Sequence, residues 1–377
     1  MSQRPSLKHR HRVQHSLEVA LLLFIVLAST LALSPAAFSD EPSTQLQAYD
    51  PKIIYTGRFD THDASGPRCN ASACSVRLRF KGSDLSVKLS ESGSLAKDTA
   101  QANWWQVVID NKPTGGIAAK PGQHTYTVAT GLPAGEHEIE LVRRTEGFLG
   151  TSQILGFTLS PGAVIETARP RTRRLEVIGD SISCGYGNEA KSALEPFSPQ
   201  SENAYMTYGA IAARALGADY VVTCWTGMRA WRDAGVDKIF SIPVSAVPNP
   251  PDAVLINLGT NDFRDGIPDE NAWSEAYIKL VKRVRAHYPK AIIYLASSPM
   301  LSDDWPEGQR MYTTHKNYLS KVAKTLQSMG DENIRTLRFR TQTAQDGAGA
   351  DWHPNQITHQ RMADLWVEAL RYDLNWQ

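Results

Sequence analysis

A hydroxyl, an imidazole and an amide stand in this sequence where a nucleophile, a base and a hydrogen-bond donor could meet. Ser181 lies in Gly179-Asp180-Ser181, directly after the apolar run Leu175 to Ile178. Gly227 closes Cys224-Trp225-Thr226-Gly227 after Tyr220 to Thr223, and Asn261 lies in Gly259-Thr260-Asn261-Asp262 at the end of Ala253 to Leu258. His353 follows in Asp351-Trp352-His353-Pro354, ahead of the last helical segment. Acyl transfer needs a nucleophile, a base to take its proton, and donors where the carbonyl oxygen becomes an oxyanion. Ser181 can attack, and His353 can act as general base and then as acid. The backbone N–H groups of Ser181 and Gly227, with the Asn261 side-chain amide, can receive the oxyanion. Glycine at 227 matters because a backbone N–H approaches a reacting group closely where no Cβ intervenes.

Taken singly, each residue has a plainer reading. A serine between strand and helix is commonly an N-cap, and an asparagine in such a turn commonly satisfies local backbone groups. His353 and Gly227 alone could be turn residues. Their joint occurrence, three of them at strand ends, argues for one site.

The elements that must position these residues differ between two halves of the chain. From about Tyr49 to Leu159 apolar and polar residues alternate, as in Val76, Leu78, Phe80 and in Leu85, Val87, Leu89, with turn chemistry at Lys81-Gly82-Ser83-Asp84, Asp110-Asn111-Lys112-Pro113 and Leu132-Pro133-Ala134-Gly135. That spacing predicts a β-sandwich. From Arg174 onward, continuous apolar strands, with Ala291 to Ala296 the fourth, alternate with helical periods such as Trp273, Tyr277, Leu280, Val281, Val284. Such a series predicts a three-layer α/β/α domain on a parallel sheet, whose ligand crevice lies beyond the carboxyl ends of the strands. The expected boundaries are a β-sandwich at 40–162, a linker at 163–173 and the α/β domain at 174–377.

Residues 1–39 have the pattern of a secretory signal peptide: Arg4, Lys8, Arg10 and Arg12, an apolar run from Val19 to Leu33, and Ala37-Phe38-Ser39 before the expected cut. The run is shorter than the ~20 residues of a spanning helix, although an uncleaved anchor is the other reading. The remaining chain carries 36 basic and 38 acidic residues, a net charge of −2. It offers no basic field for nucleic acid, and no membrane association is expected after cleavage. All four cysteines lie in the exported part, where disulfides are permitted. Three pairings are possible; the economical one joins Cys69 to Cys74 and Cys184 to Cys224. A zinc site is disfavoured, because neither a CxxC pair nor an HExxH helix occurs.

The blocks at 179–181, 227, 259–262 and 351–354 resemble those of the SGNH (GDSL-like) hydrolases, whose name spells Ser, Gly, Asn and His. More narrowly, GDSISCGYGN from 179, LVRRTEGFLG at 141–150 and LGFTLSPG at 155–162 resemble carbohydrate esterase family 2. The resemblance implies a jelly-roll domain joined to an SGNH domain, and removal of O-acetyl groups from plant polysaccharides such as xylan and mannan, or from their oligosaccharides. It implies no metal and no cofactor. Most SGNH enzymes place an aspartate three residues before the histidine, but that position here is Ala350. Asp351 is therefore expected to orient His353, with a backbone carbonyl as the alternative.

Sugars suit stacking aromatics with a few polar fixers. Trp231, Trp305 and Trp352 are expected in the cleft and Tyr186 on its wall, whereas Trp273 and Trp366 fall on core faces of helices. The expected protein is a secreted or periplasmic serine esterase acting on acetylated plant polysaccharide or oligosaccharide. The alternatives are a GDSL-type lipase or thioesterase, and a non-catalytic glycan-binding protein.

Overall fold

The computed structural model describes residues 42–92, 102–232 and 250–377. The expected signal peptide lies outside the described residues. Among them, no helix is long and apolar enough to cross a membrane.

In the N-terminal half, the predicted alternation becomes two antiparallel sheets of six strands each. Leu85, Val87 and Leu89 of one sheet and Val76, Leu78, Phe80, Ile139 and Leu141 of the other are almost completely buried. They share one apolar cluster between the sheets, and the polar residues that alternate with them point away from it, Lys88 into solvent and Arg77, itself buried, toward Asp219 of the C-terminal half. Val164–Glu166, inside the segment expected to be a linker, is a strand that pairs with Ser75–Lys81.

In the C-terminal half, five parallel strands lie in the order Ala218–Cys224, Arg173–Gly179, Ala253–Asn257, Ile292–Ala296, Ile334–Leu337. Alternate residues of these strands face opposite ways. Leu175, Val177 and Leu255 pack with helices Tyr208–Ala215 and Gln356–Leu374 on one side. Ile178, Val254 and Ile256 pack with Glu270–His287 and Met311–Ser328 on the other. This is the three-layer α/β/α arrangement. Its 2-1-3-4-5 order puts the topological switch between Arg173–Gly179 and Ala253–Asn257, so the segments leaving those two strands border the crevice. Ser181 and Asn261 stand on them.

Glu41–Gln377 pack as one compact unit. Ala73, Val108 and Val142 of the sandwich join the apolar cluster containing Tyr205, Ala213 and Tyr220. Arg58 reaches from the sandwich into the edge of the parallel sheet, with Nη2 2.9 Å from Glu176 Oε1 and Nε 2.6 Å from Thr223 Oγ1. Tyr288 donates to the other Glu176 oxygen at 2.8 Å. Glu176 is wholly buried and Arg58 nearly so. Removing one member of such a pair leaves an uncompensated charge, at a cost of roughly 3–5 kcal/mol.

Cys184 and Cys224 form a disulfide, with Cα atoms 5.6 Å apart. It ties the segment after Ser181 to the strand end preceding Gly227. The other expected pair is corrected: Cys69 and Cys74 are buried thiols, directed at the Ala71 and Arg58 carbonyls respectively. A non-reducing peptide map is therefore expected to join Cys184 with Cys224 alone. The disulfide closes a span of 40 residues, and replacing both cysteines by serine is expected to cost about 3–4 kcal/mol in denaturant unfolding. A loss under about 1 kcal/mol, or a Cys69–Cys74 peptide, contradicts this account.

Candidate active site

Strand Arg173–Gly179 ends in Asp180, which caps the short helix Ser181–Cys184 by accepting from the Ile182 N–H at 3.0 Å. The cap fixes Ser181 as the first helical residue, 5% exposed. Its Oγ lies 2.8 Å from His353 Nε2. The other ring nitrogen, Nδ1, is 3.1 Å from the Ala350 carbonyl oxygen. A carbonyl only accepts, so Nδ1 carries the proton and Nε2 is left to accept from the Ser181 hydroxyl. That is the tautomer a general base needs. Burial holds the imidazole below its ordinary value, an effect the Ala350 carbonyl partly opposes.

The expectation that Asp351 orients His353 is corrected. Asp351 and Trp352 both take left-handed backbone conformations, with φ of +49° and +65°. The chain thereby turns the Asp351 carboxylate outward, where it accepts from the Tyr186 hydroxyl at 2.8 Å. The carbonyl one residue earlier occupies the place of a triad acid. Gly187 makes this possible: a Cβ there would come within 2.4 Å of the Ala350 Cβ. Its own carbonyl accepts the Ala350 N–H at 3.0 Å. The second glycine of Cys-Gly-Tyr-Gly thus lets the segment holding His353 close on the segment holding Ser181.

On the donor side, Gly227 has φ +83°, and no heavy atom lies within 4 Å of where its Cβ would stand. Asn261 Nδ2 donates to the Met228 carbonyl at 3.0 Å and, more weakly, to Asp180 Oδ2 at 3.3 Å. The Asp262 carboxylate accepts the Ala230 and Trp231 N–H groups at 3.0 and 2.8 Å, which ties residues 230–231 to the Asn261 turn. Burial pushes Asp180 up to about 7 and Asp262 up to about 6. Both carboxyls serve the framework, accepting the backbone N–H groups of Ile182 and of Ala230 and Trp231.

The aromatic candidates separate. Trp352 and Trp305 are 65% and 77% exposed. Trp231 is partly buried against the core on one side of the parallel sheet, and the Arg232 guanidinium lies over its ring at 3.7 Å. The Tyr186 ring lies 4.3 Å from the His353 ring and stacks on Phe197 at 4.2 Å. Phe197 is in turn 6.0 Å from Phe148 of the sandwich, which is 46% exposed. Sequence reasoning missed Phe197 and Phe148. Phe148 lies in LVRRTEGFLG, a segment that carries the family resemblance without any local sign of what its side chains do. Among the described residues there is no group of three or more His, Cys, Asp or Glu side chains able to hold a metal ion.

Residues 55–168 match the family model described as carbohydrate esterase 2 N-terminal, and residues 177–361 match that of the GDSL-like lipase/acylhydrolase family. Among solved structures, a family two carbohydrate esterase from Clostridium thermocellum in complex with cellohexaose is 34% identical, with a TM-score of 0.78 over 86% of this chain and 100% of that one. Among curated proteins, the cellulase/esterase CelE of Acetivibrio thermocellus is 35% identical over 340 residues. That match covers 87% of this chain but only 40% of CelE. An acetylxylan esterase/glucomannan deacetylase of Cellvibrio japonicus is 25% identical, over 88% of this chain and 91% of the relative.

Two outcomes follow from the geometry around His353. Its imidazole, followed by NMR, is expected to titrate below the ordinary 6.5, because burial disfavours the protonated ring; a midpoint above that value contradicts the site. In acyl transfer, Asp351→Asn is expected to lower kcat/KM by less than about tenfold, whereas loss of a true triad acid costs about 10⁴-fold. A drop of that larger size would restore Asp351 as the orienting acid.

Proposed function

The chain belongs to carbohydrate esterase family 2, and from that premise we propose that it is an exported serine esterase that removes O-acetyl groups from hemicellulose. Its substrates are acetylated xylan, mannan or glucomannan, or their oligosaccharides. The observation that carries the chemistry is the 2.8 Å contact of Ser181 Oγ with an imidazole whose Nδ1–H is already held by a backbone carbonyl.

His353 Nε2 takes the Ser181 proton as Oγ attacks the acetyl carbonyl carbon. The Ser181 and Gly227 N–H groups and the Asn261 amide receive the oxyanion, Asn261 giving up its longer bond to Asp180 as it does so. Collapse of the tetrahedral intermediate breaks the ester C–O bond, and the departing sugar oxygen collects the proton from His353. Water, activated by the same imidazole, then attacks the acetyl-Ser181 ester and releases acetate. No step calls for a metal or an organic cofactor.

A glycan substrate agrees with the side chains around the imidazole. Trp352 exposes its indole beside His353, and Tyr186, Phe197 and Phe148 extend an aromatic row from the imidazole to the sandwich. Such faces stack on the C–H surfaces of sugar rings, and exposed polar groups can fix the hydroxyls. Trp305 is a further exposed indole on the loop after strand Ile292–Ala296.

Acetate release from acetylated xylan, acetylated glucomannan and monoacetyl sugars, measured beside hydrolysis of long-chain acyl esters, tests the proposal. Acetylated glycans are expected to be preferred, and Ser181→Ala is expected to lower release by ~10⁴-fold or more while glycan binding survives. Preference for long-chain esters, or acetate release that persists in Ser181→Ala, would overturn it.

A further inference from the structure

Glu146 belongs to the sandwich, in the turn between strands Glu136–Arg143 and Thr151–Pro161, yet its side chain ends on the oxyanion turn of the other half. Its Oε2 accepts the Thr226 N–H at 2.8 Å and its Oε1 accepts the Thr226 hydroxyl. Thr226 immediately precedes Gly227. Two residues on, the Met228 carbonyl accepts the Asn261 amide at 3.0 Å. One carboxylate therefore anchors the turn that presents the Gly227 N–H and also sets the carbonyl against which Asn261 is oriented. Asp262 holds the far end of the same loop through Ala230 and Trp231.

We propose that Glu146 is a positioning residue for the reaction, holding the Thr226–Met228 turn so that Gly227 and Asn261 face the forming oxyanion. The inference rests on the esterase reading and deepens it: the sandwich completes the catalytic centre.

The surroundings of Glu146 are built for this. Glu146 is 2% exposed and Glu202 wholly buried, and the Glu146 N–H donates to Glu202 Oε2 at 3.1 Å. Burial, then the neighbouring charge of Glu146, push Glu202 well above the usual carboxylate range. Burial raises Glu146 too, and the two Thr226 donors oppose that rise. Cations fix the backbone around the pair and leave its carboxylates to other donors. Arg143 donates to the Glu146 carbonyl at 3.2 Å, and Arg144 to the Glu202 carbonyl at 3.1 Å and the Gln200 carbonyl at 2.7 Å. Arg144 also pairs with Glu189. The charged residues of Arg143-Arg144-Thr145-Glu146 thus divide the site between them, since Arg143 holds the turn, Arg144 holds the segment 189–202, and Glu146 holds Thr226.

The test uses the full chain and its Glu146→Ala, Glu146→Gln and Thr226→Val variants, with three readouts: kcat and KM on an aryl acetate, affinity for phenylboronic acid by calorimetry, and thermal midpoint. The boronic acid forms a tetrahedral adduct on Ser181 and needs no turnover. Glu146→Ala is expected to lower kcat by ~10²-fold, as does removal of an oxyanion donor. KM should stay within about threefold, and boronate affinity should fall in step with kcat. Thr226→Val keeps the backbone bond and is expected to lose about tenfold. Glu146→Gln, which can still accept from the Thr226 N–H, is expected to recover most of the activity. Boronate affinity unchanged in Glu146→Ala overturns the proposal. If that variant does not fold, unchanged kcat and boronate affinity in Thr226→Val overturn it equally. Absence of ester turnover by the unmodified chain counts against the esterase reading, while the boronate comparison still decides the role of Glu146.

Discussion

The bond from His353 Nδ1–H to the Ala350 carbonyl is the constraint on which the site depends. It selects the tautomer in which Nε2 faces the Ser181 hydroxyl as an acceptor, and it fixes the plane of the ring. A carboxylate in that place would add charge stabilisation for the imidazolium formed during reaction. A carbonyl supplies orientation and a partial negative charge only, so in the proposed reaction more of the transition-state stabilisation falls on the oxyanion side. The site is consistent with that division. The histidine segment is fixed by backbone contacts with Gly187, and the donor turn is fixed by two buried carboxylates, Glu146 and Asp262.

The sandwich takes part in the site through charge as much as through apolar packing. Arg58 places a guanidinium against Glu176 in the parallel sheet, Arg144 bonds to the Glu202 carbonyl and Glu146 to Thr226. Buried ionic contacts of this kind gain little net stability over apolar packing but are costly to break. They therefore specify one relative arrangement of the two halves. The disulfide between Cys184 and Cys224 adds a covalent limit on the distance between the segment after Ser181 and the turn that holds Gly227.

The meeting of Ser181 with His353 was legible in the sequence, because a hydroxyl just after an apolar strand and an imidazole ahead of the last helix each have a chemical reason to stand there. The two-layer sandwich and the three-layer domain were legible from the change of hydrophobic period near residue 170. The edge strand Ile334–Leu337 was not, since Arg335 and Thr336 interrupt its apolar run. The Ala350 carbonyl was hidden for a deeper reason: every residue has a carbonyl, and only the left-handed turn at 351–352 decides which one meets His353. Glu146 stands in LVRRTEGFLG, but its partner lies 80 residues away in the other half, and no local pattern announces such a contact. Cys69 and Cys74 show the converse error, since two cysteines in one domain suggested a disulfide where the structure has two free, buried thiols.

In the proposed mechanism Ser181 is a nucleophile activated by a carbonyl-oriented His353. Covalent trapping with an aryl phosphonate ester, followed by mass mapping, tests it most directly. One phosphonyl group per chain is expected on the peptide containing Ser181, with labelling slowed by ~10³-fold in His353→Ala, since general-base assistance contributes on that order. Labelling at another residue, or labelling of Ser181 at an unchanged rate without the imidazole, would contradict the account.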